Sequence, residues 1–166
     1  MTEGIAIRPI TLEDVDGFNA CVGVVARERQ WIMITDAPPM ESTRRFVEGA
    51  IRTGRPHVVA LDADRVIGWC DIRPHALEGF RHCGELGMGL LPEYRGRGLG
   101  RLLVEDVLRR SWAFGLTRVE LEVYASNLAA IRLYERTGFR REGLKRRARF
   151  LDGTWDDIVV MAIARE

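Results

Sequence analysis

Short alternating runs and longer helical spacings divide the first third of the chain into a strand and two helices. Ile5–Ile7 alternates apolar positions, as a short strand does. After Thr11, apolar residues recur every three or four positions, and Asp14 follows Thr11 at the spacing of a capping box, so an amphipathic helix is predicted. Pro38-Pro39 interrupts this pattern before a second amphipathic helix that ends at Gly54.

The rest of the chain predicts strands separated by two further helices. Val58–Leu61 and Val66–Cys70 are β-branched runs on either side of a polar turn, which predicts a β-hairpin. The later predicted elements are the strand Glu85–Leu91, a helix ending near Gly115, the strand Arg118–Tyr124, a helix from about Asn127 to Gly138, and closing strands around the Asp152-Gly153 turn. This order predicts a mixed α/β layer fold.

Length and composition are those of one globular domain. The chain has 166 residues, of which 46% are apolar and 30% charged, so we expect a single domain over residues 1–166. No stretch approaches the ~20 consecutive apolar residues that a membrane span needs. We therefore expect a soluble protein without a membrane partner.

Charge and cysteine content limit the partners and the cellular compartment that we expect for this protein. Lys and Arg number 25 and Asp and Glu 24, so no overall field favours nucleic acid as a partner. The three cysteines, Cys21, Cys70 and Cys83, are far apart and form no Cys-x-x-Cys pair, which disfavours disulfides and zinc. Met1–Gly4 opens without a basic start and a long apolar run, so no export signal is expected. These features predict a cytoplasmic protein.

The segment Arg95–Arg101 lies between a predicted strand and a predicted helix and has the composition of an anion site. Its glycines let successive main-chain N–H groups turn toward one point, and the helix start adds unpaired donors and a positive dipole end. The segment consists of Arg95, Gly96, Arg97, Gly98, Leu99, Gly100 and Arg101. This pattern predicts a site for a phosphate or a pyrophosphate.

The spacing of the glycines excludes two common phosphate sites. A P-loop ends in Gly-Lys-Ser/Thr, whereas Gly100 is followed by Arg101-Leu102. A dinucleotide fingerprint needs Gly-x-Gly-x-x-Gly, and neither Gly96 nor Gly98 opens that spacing. A nicotinamide cofactor is therefore not expected.

Several motifs occur together in one order. They are Arg95-x-x-Gly98-x-Gly100 at a strand-to-helix junction, Asn127 at the start of a helix with Ala130-Ile131 and Leu133-Tyr134, Gly138-Phe139, and the opening Ile7-Arg8-Pro9-Ile10. Together they resemble the GNAT N-acetyltransferase superfamily, closest to its branch of bacterial small-molecule and amino-acid acetyltransferases. The resemblance implies a mostly antiparallel sheet, helices on both faces, and a splay between the two parallel strands Glu85–Leu91 and Arg118–Tyr124.

The same resemblance implies that acetyl-CoA is the co-substrate, and that no metal is needed. Its pyrophosphate would lie on the N–H groups of Arg95–Arg101, in agreement with the anion site predicted independently. Its pantetheine arm would pair with the strand edge exposed by the splay, through the main chain of Met88, Leu90 and Leu91. Asn127 would contact the same arm, besides being able to cap its helix.

Acetyl transfer to an amine needs a neutral nucleophile and a proton for the departing thiolate. Glu85 is the candidate base, acting through a water, although a solvated carboxylate at a strand end is an equal alternative. Glu120 and Glu122 are further candidates, for which a surface role is the simpler interpretation. Tyr134 stands seven residues after Asn127, which returns it to nearly the same helical face. The resemblance implies that Tyr134 is the acid, and a core tyrosine is the structural alternative.

The expected function is transfer of acetyl from acetyl-CoA to the primary amine of a small molecule, by direct attack in a ternary complex. Three alternatives stay open: a protein N-terminal or lysine acetyltransferase, an acyl-CoA sensor without turnover, and a phosphate-binding domain outside this family. Relatives are often dimers, so a homodimer is a further option.

Other conspicuous side chains receive structural interpretations. Arg140-Arg141 and Lys145–Arg149 form a basic cluster that we expect on a solvated strand face, with contact to phosphates or an acidic acceptor as the alternative. The three histidines lack metal-ligand spacing. Trp31, Met33 and Trp69 are candidates for the wall of an acceptor pocket, with core packing as the simpler interpretation.

Overall fold

A computed structural model describes residues 4–165 and contains seven strands and four α-helices in these residues. Met1–Glu3, which carry most of the prediction about export, lie outside the described residues. The strands are β1 (Ile5–Pro9), β2 (His57–Asp62), β3 (Arg65–Pro74), β4 (Cys83–Leu90), β5 (Arg118–Tyr124), β6 (Arg140–Leu151) and β7 (Thr154–Ala164). The helices are α1 (Val15–Arg27), α2 (Met40–Thr53), α3 (Leu99–Phe114) and α4 (Leu128–Arg136).

All seven strands form one sheet in the order β1-β2-β3-β4-β5-β7-β6. Neighbours are antiparallel except for β4 and β5, which are parallel. Helices α1 and α2 cover one face, where Phe18 packs edge-on against the ring of Trp69. Helix α3 covers the other face, where Gly100 lies beside Met88 and Leu90. The predicted mixed α/β fold is confirmed.

The parallel pair β4 and β5 is hydrogen-bonded over a short length only. Cys83, Gly84 and Glu85 pair with Arg118–Glu120, and beyond this point the two strands separate. Each continues with its other neighbour, so the facing edges of Leu86–Leu90 and Leu121–Tyr124 have no partner strand among residues 4–165. This gap is the splay that the family resemblance implied.

Gly89 shows a physical reason for one glycine within the gap-lining strand. The pairing of β4 with β3 has no register shift, so Gly89 does not mark a bulge. A Cβ on Gly89 would lie 2.2 Å from the ring of Trp69 on the adjacent strand. Gly89 therefore makes room for an indole, and the irregularity of β4 lies on its β5 side alone.

Local signals placed the helix ends correctly. Asp14 accepts a hydrogen bond from the main-chain N–H of Thr11 at 2.8 Å and pairs with Arg8. These contacts lower the pKa of Asp14 against the opposing effect of its burial. Asn127 caps α4, since its side-chain oxygen accepts from the N–H of Ala130 at 3.2 Å. Gly54 ends α2 in the left-handed conformation.

The edge strand β6 carries the basic cluster on exposed positions, as the sequence predicted. Cys21, Cys70 and Cys83 are buried free thiols. Among residues 4–165, no helix is both long enough and apolar enough to cross a membrane.

Candidate active site

A cavity of about 500 Å³ lies at the gap between β4 and β5 and is lined by residues from both faces of the sheet. Alternation of side chains along β4 assigns its two sides. Glu85, Gly87 and Gly89 face α1 and α2, whereas Met88 and Leu90 face α3 and α4. The cavity therefore passes through the sheet, and two molecules entering from opposite faces can meet inside it.

The α1/α2 side of the cavity is mostly apolar. Its wall includes Phe18, Trp31, Ile32, Met33, Phe46 and Trp69. Both tryptophans and Met33 were candidates for such a wall, and the structure places all three there. Trp69 is also part of the core, while Met33 is 68% exposed at the cavity mouth. This side suits an acceptor with an apolar body.

The α3/α4 side is formed by β4 and α4. Asn127, Ala130, Leu133 and Tyr134 line it together with Met88 and Leu90. The seven-residue spacing of Asn127 and Tyr134 thus brings both side chains to one cavity, as the sequence predicted. The N–H of Leu91 donates to Ile67 O at 2.9 Å, so this amide is already occupied, in contrast to the role suggested for it.

The glycine-rich turn has the backbone of an anion site. Gly96 and Gly98 have φ angles of 74° and 83°, and a Cβ on either would point into open space. The first main-chain hydrogen bond into α3 runs from Leu102 N to Gly98 O at 3.3 Å. The N–H groups of 96–101 have no acceptor within the part of the chain that the structure describes. The start of α3 therefore offers several unpaired donors around one point.

Gly100 and Leu99 serve packing beside this turn. A Cβ on Gly100 would lie 3.1 Å from Leu133 Cδ2, so this glycine lets α3 approach α4 closely. Leu99 is buried.

The three arginines of the turn have different partners. Arg95 donates to Glu28 through both terminal nitrogens and to Leu90 O through Nε, so its side chain ties the turn to the segment after α1. Arg101 pairs with Glu105 one helical turn later. The guanidinium of Arg97 lies 5.4 Å from the centre of the Tyr94 ring. Arg97 is thus the arginine that keeps an uncompensated charge at the turn.

Tyr134 is buried, with 6% of its surface exposed, and its ring packs edge-on against Phe139. Burial raises the pKa of Tyr134 well above its ordinary value, so the phenol stays protonated. No described group hydrogen-bonds to this hydroxyl. The proton is therefore available to a molecule in the cavity.

The predicted base Glu85 lines the cavity on the α1/α2 side. Its side chain is 36% exposed, and Oε1 lies 3.5 Å from a terminal nitrogen of Arg73, its cross-strand neighbour. Glu120 contacts His75 and Arg118, in agreement with the surface role expected for it. Glu122 pairs with Lys145 and also lines the cavity, so the structure does not confine it to the surface role.

Asp71 is the cavity residue that sequence reasoning missed. It is 6% exposed and lines the cavity between Trp69 and Arg73 on β3. Burial raises its pKa to about 7, although Arg73 and Arg55 oppose the shift. The available signal was a carboxylate within the otherwise apolar run from Val66 to Ile72.

No group of three or more His, Cys, Asp or Glu side chains within residues 4–165 is arranged to hold a metal ion. The imidazole of His57 is buried between Phe18 and Phe46, and that of His75 contacts Glu120.

Comparison with known proteins identifies the family to which the chain belongs. The family model for the acetyltransferase (GNAT) family matches residues 26–139. An L-methionine sulfoximine/L-methionine sulfone acetyltransferase from Pseudomonas aeruginosa is 34% identical over 162 residues, covering 95% of this chain and 93% of the relative. The chain belongs to the GNAT acetyltransferase family.

A second relative shares a smaller part of its length. The mycothiol acetyltransferase of Geodermatophilus obscurus is 40% identical over 97 residues, which cover 55% of this chain and 32% of that longer protein. Family membership excludes the predicted alternative of a phosphate-binding domain outside this family.

Solved structures show the same fold. An acetyltransferase of Salmonella typhimurium, solved with acetyl-CoA, superposes with a TM-score of 0.92 at 20% identity, covering 99% of this chain and 95% of the other. A GNAT acetyltransferase of Streptococcus pneumoniae gives a TM-score of 0.91 at 24% identity, with 98% and 99% covered. At these identities the comparison supports the fold alone.

Proposed function

We propose that this protein transfers acetyl from acetyl-CoA to the primary amine of a small molecule, by direct attack within a ternary complex. The observation that carries the proposal is the cavity at the gap in the sheet, which is lined from both faces and whose wall includes Arg95 of the glycine-rich turn and the apolar residues of the α1/α2 side. Such a cavity lets a thioester and an amine approach from opposite faces, so no acetylated enzyme is required.

The donor is assigned to the turn and the α3/α4 side. The unpaired N–H groups of 96–101 and the charge of Arg97 suit the pyrophosphate. The unpaired edge of Leu86–Leu90 offers main-chain groups to the pantetheine arm, whose amides can pair as a strand would. Asn127 and the hydroxyl of Tyr134 then lie along the remaining wall.

Proton transfers complete the reaction. The acceptor amine must lose one proton before its nitrogen attacks the thioester carbon, and we assign that proton to Glu85 through a water. As the carbon–sulfur bond breaks, Tyr134 gives its proton to sulfur, and the proton lost from nitrogen as the amide forms restores the phenol. The net products are the acetamide, CoA thiol and one proton released to solvent.

The apolar wall of the α1/α2 side supports an acceptor with an aliphatic or aromatic body. The P. aeruginosa relative is named for acetylation of two methionine derivatives, which agrees with a small amine acceptor.

The buried free cysteines agree with a reducing cytosol. Exposed Leu144, Phe150 and Trp155 on β6 and β7 support a homodimer through this end of the sheet.

The test is thiol release from acetyl-CoA against a panel of amino acids, arylalkylamines, polyamines, aminoglycosides and peptides. We expect turnover with a small apolar amine and the mass of its acetamide in the product. Turnover with peptides alone would favour a protein acetyltransferase. Tight acetyl-CoA binding without thiol release from any member would favour a sensor.

A further inference from the structure

A buried carboxyl, that of Asp71, lines the cavity on its α1/α2 side. The strand register places His57, Asp71 and Gly87 in one row across β2, β3 and β4. Cross-strand neighbours share a face of the sheet, so all three lie on the α1/α2 side. Asp71 is the member of this row whose side chain can exchange a proton with a cavity ligand, because His57 packs between two phenylalanine rings.

The carboxyl of Asp71 is not satisfied by the protein around it. Its Oδ1 is buried and has no hydrogen-bond partner in residues 4–165. The nearest cation, Nε of Arg73, lies 3.8 Å from Oδ1 and is likewise buried without a partner. Buried polar groups without partners are rare in folded proteins and are found where a ligand supplies the missing contact.

Gly87 leaves the other carboxyl oxygen accessible from the cavity. A Cβ at Gly87 would lie 3.4 Å from Asp71 Oδ2, and Gly87 itself lines the cavity. Any larger residue at position 87 would occupy the space above this oxygen. The glycine therefore keeps the space beside this oxygen free of a side chain.

The charged groups that face Asp71 keep its pKa near neutral pH. Arg73 and Arg55 favour its ionised form, while Glu85 and burial favour the protonated form, and the pKa rises to about 7. His57 stays neutral, since burial lowers its pKa to about 3. A base with a pKa near the working pH combines availability with a useful driving force for proton transfer.

We propose that Asp71 is a second catalytic carboxylate, which binds the ammonium group of the acceptor and takes the proton that leaves before attack. The inference rests on the proposed acetyl transfer and refines its proton path. The N–H bond of the ammonium breaks as an O–H bond forms on Asp71, and the free amine attacks the thioester. The proton then passes to the partly exposed Glu85 and from there to solvent, so Asp71 is ready for the next turnover.

The experiment measures kcat/KM for the best amine of the panel from pH 5.5 to 9.5. We compare the parent with Asp71→Asn and Glu85→Gln, each checked for melting temperature and acetyl-CoA affinity. The parent should lose activity below a pKa near 7. Asp71→Asn should lose that acidic limb and ~10²–10⁴-fold in kcat with unchanged acetyl-CoA affinity, as expected for a lost base. Glu85→Gln should be slower and keep the limb, displaced to lower pH because the charge of Glu85 no longer raises the pKa of Asp71.

A second variant covers the case in which Asp71→Asn fails to fold. Gly87→Ala adds one methyl at ordinary contact distance from Oδ2, so the fold should tolerate it. KM for the amine should rise several-fold while acetyl-CoA affinity stays. Gly49→Ala, at a half-buried position in α2 with open space around the added methyl, is the matched control and should have the kinetic constants of the parent.

The outcomes separate the inference from the function on which it rests. An active parent whose acidic limb survives in Asp71→Asn, or is lost in Glu85→Gln alone, overturns the role of Asp71 and leaves acetyl transfer standing. An unchanged amine KM in Gly87→Ala also counts against the inference. A parent that releases no thiol with any amine removes the proposed function, and the inference falls with it.

Discussion

Replacing Asp71 by asparagine should make the protein more stable at neutral pH than at acidic pH, relative to the parent. The carboxyl is buried, and its pKa rises from 3.8 to about 7 on folding. At ~1.4 kcal/mol per pH unit, the interval corresponds to ~4 kcal/mol. This is the largest effect that ionisation of Asp71 can have on the free energy of unfolding.

The direction follows from proton binding. Below pH ~4 both folded and unfolded chains hold the Asp71 proton, so its titration has no effect on stability. Between pH ~4 and ~7 the unfolded chain releases the proton first, so the parent loses stability as the pH rises. Above ~7 the loss is complete and constant. Asparagine does not titrate, so it escapes this loss at every pH.

The variant also carries an effect that is independent of pH. Its amide carries two N–H donors where the protonated carboxyl has one, and an unsatisfied buried donor costs ~1–3 kcal/mol. This cost lowers the free energy of unfolding of the variant by the same amount at every pH. The informative quantity is therefore the change with pH in the difference between variant and parent, which cancels the titration of other groups.

Urea unfolding followed by tryptophan fluorescence at pH 4.5, 6 and 8 measures this quantity. We expect the difference to grow in favour of Asp71→Asn by ~3 kcal/mol across the series, because ~1 kcal/mol of the full effect is already lost at pH 4.5. A difference that stays constant would show that Asp71 is ionised in the folded protein at all three pH values. A difference that grows in favour of the parent would reverse the reasoning about burial altogether.

Three further predictions concern other parts of the cavity. Gly98→Val should abolish acetyl-CoA binding by calorimetry, whereas Gly54→Val, which has a similar positive φ and open surroundings but lies far from the turn, should show the same strain of ~1–2 kcal/mol and normal affinity. Tyr134→Phe should fold and bind acetyl-CoA normally but turn over ~10²-fold more slowly, and the loss in rate should be smaller for acyl donors with more acidic thiols. Equal losses in rate for all donors would mean that the hydroxyl only positions the substrate. Gly89→Ala should destabilise the protein by ~1–3 kcal/mol in urea unfolding, because its methyl would overlap Trp69; unchanged stability would refute that packing argument.

Features that depend on residues close together in the chain could be predicted from the sequence. Local spacing alone was enough to predict the helix starts at Thr11 and Asn127. The same holds for the glycine-rich turn and for the order of strands and helices. The cavity wall at Tyr134 followed from helical periodicity. These are cases in which one element, taken alone, determines where a side chain points.

Features that depend on contacts between distant segments could not be predicted. Arg95 was expected to serve the phosphate site, but its side chain is held by Glu28, 67 positions earlier. Asp71 looked like one polar residue in a strand, since its burial and its neighbours arise only from the register of β2, β3 and β4. Tertiary pairing, rather than local preference, decides such roles.

Because β4 and β5 pair over a short length only, hydrogen exchange along β4 should report whether a molecule occupies the gap between them. Main-chain amides of Leu86–Leu90 that point into the gap have no partner strand among the described residues, so they should exchange hydrogen with solvent faster than the amides directed toward β3. A ligand lying along that edge would slow exchange at alternate residues only. Deuterium uptake along this one strand would thus trace the path of a bound molecule, residue by residue, in a protein that performs no chemistry during the measurement.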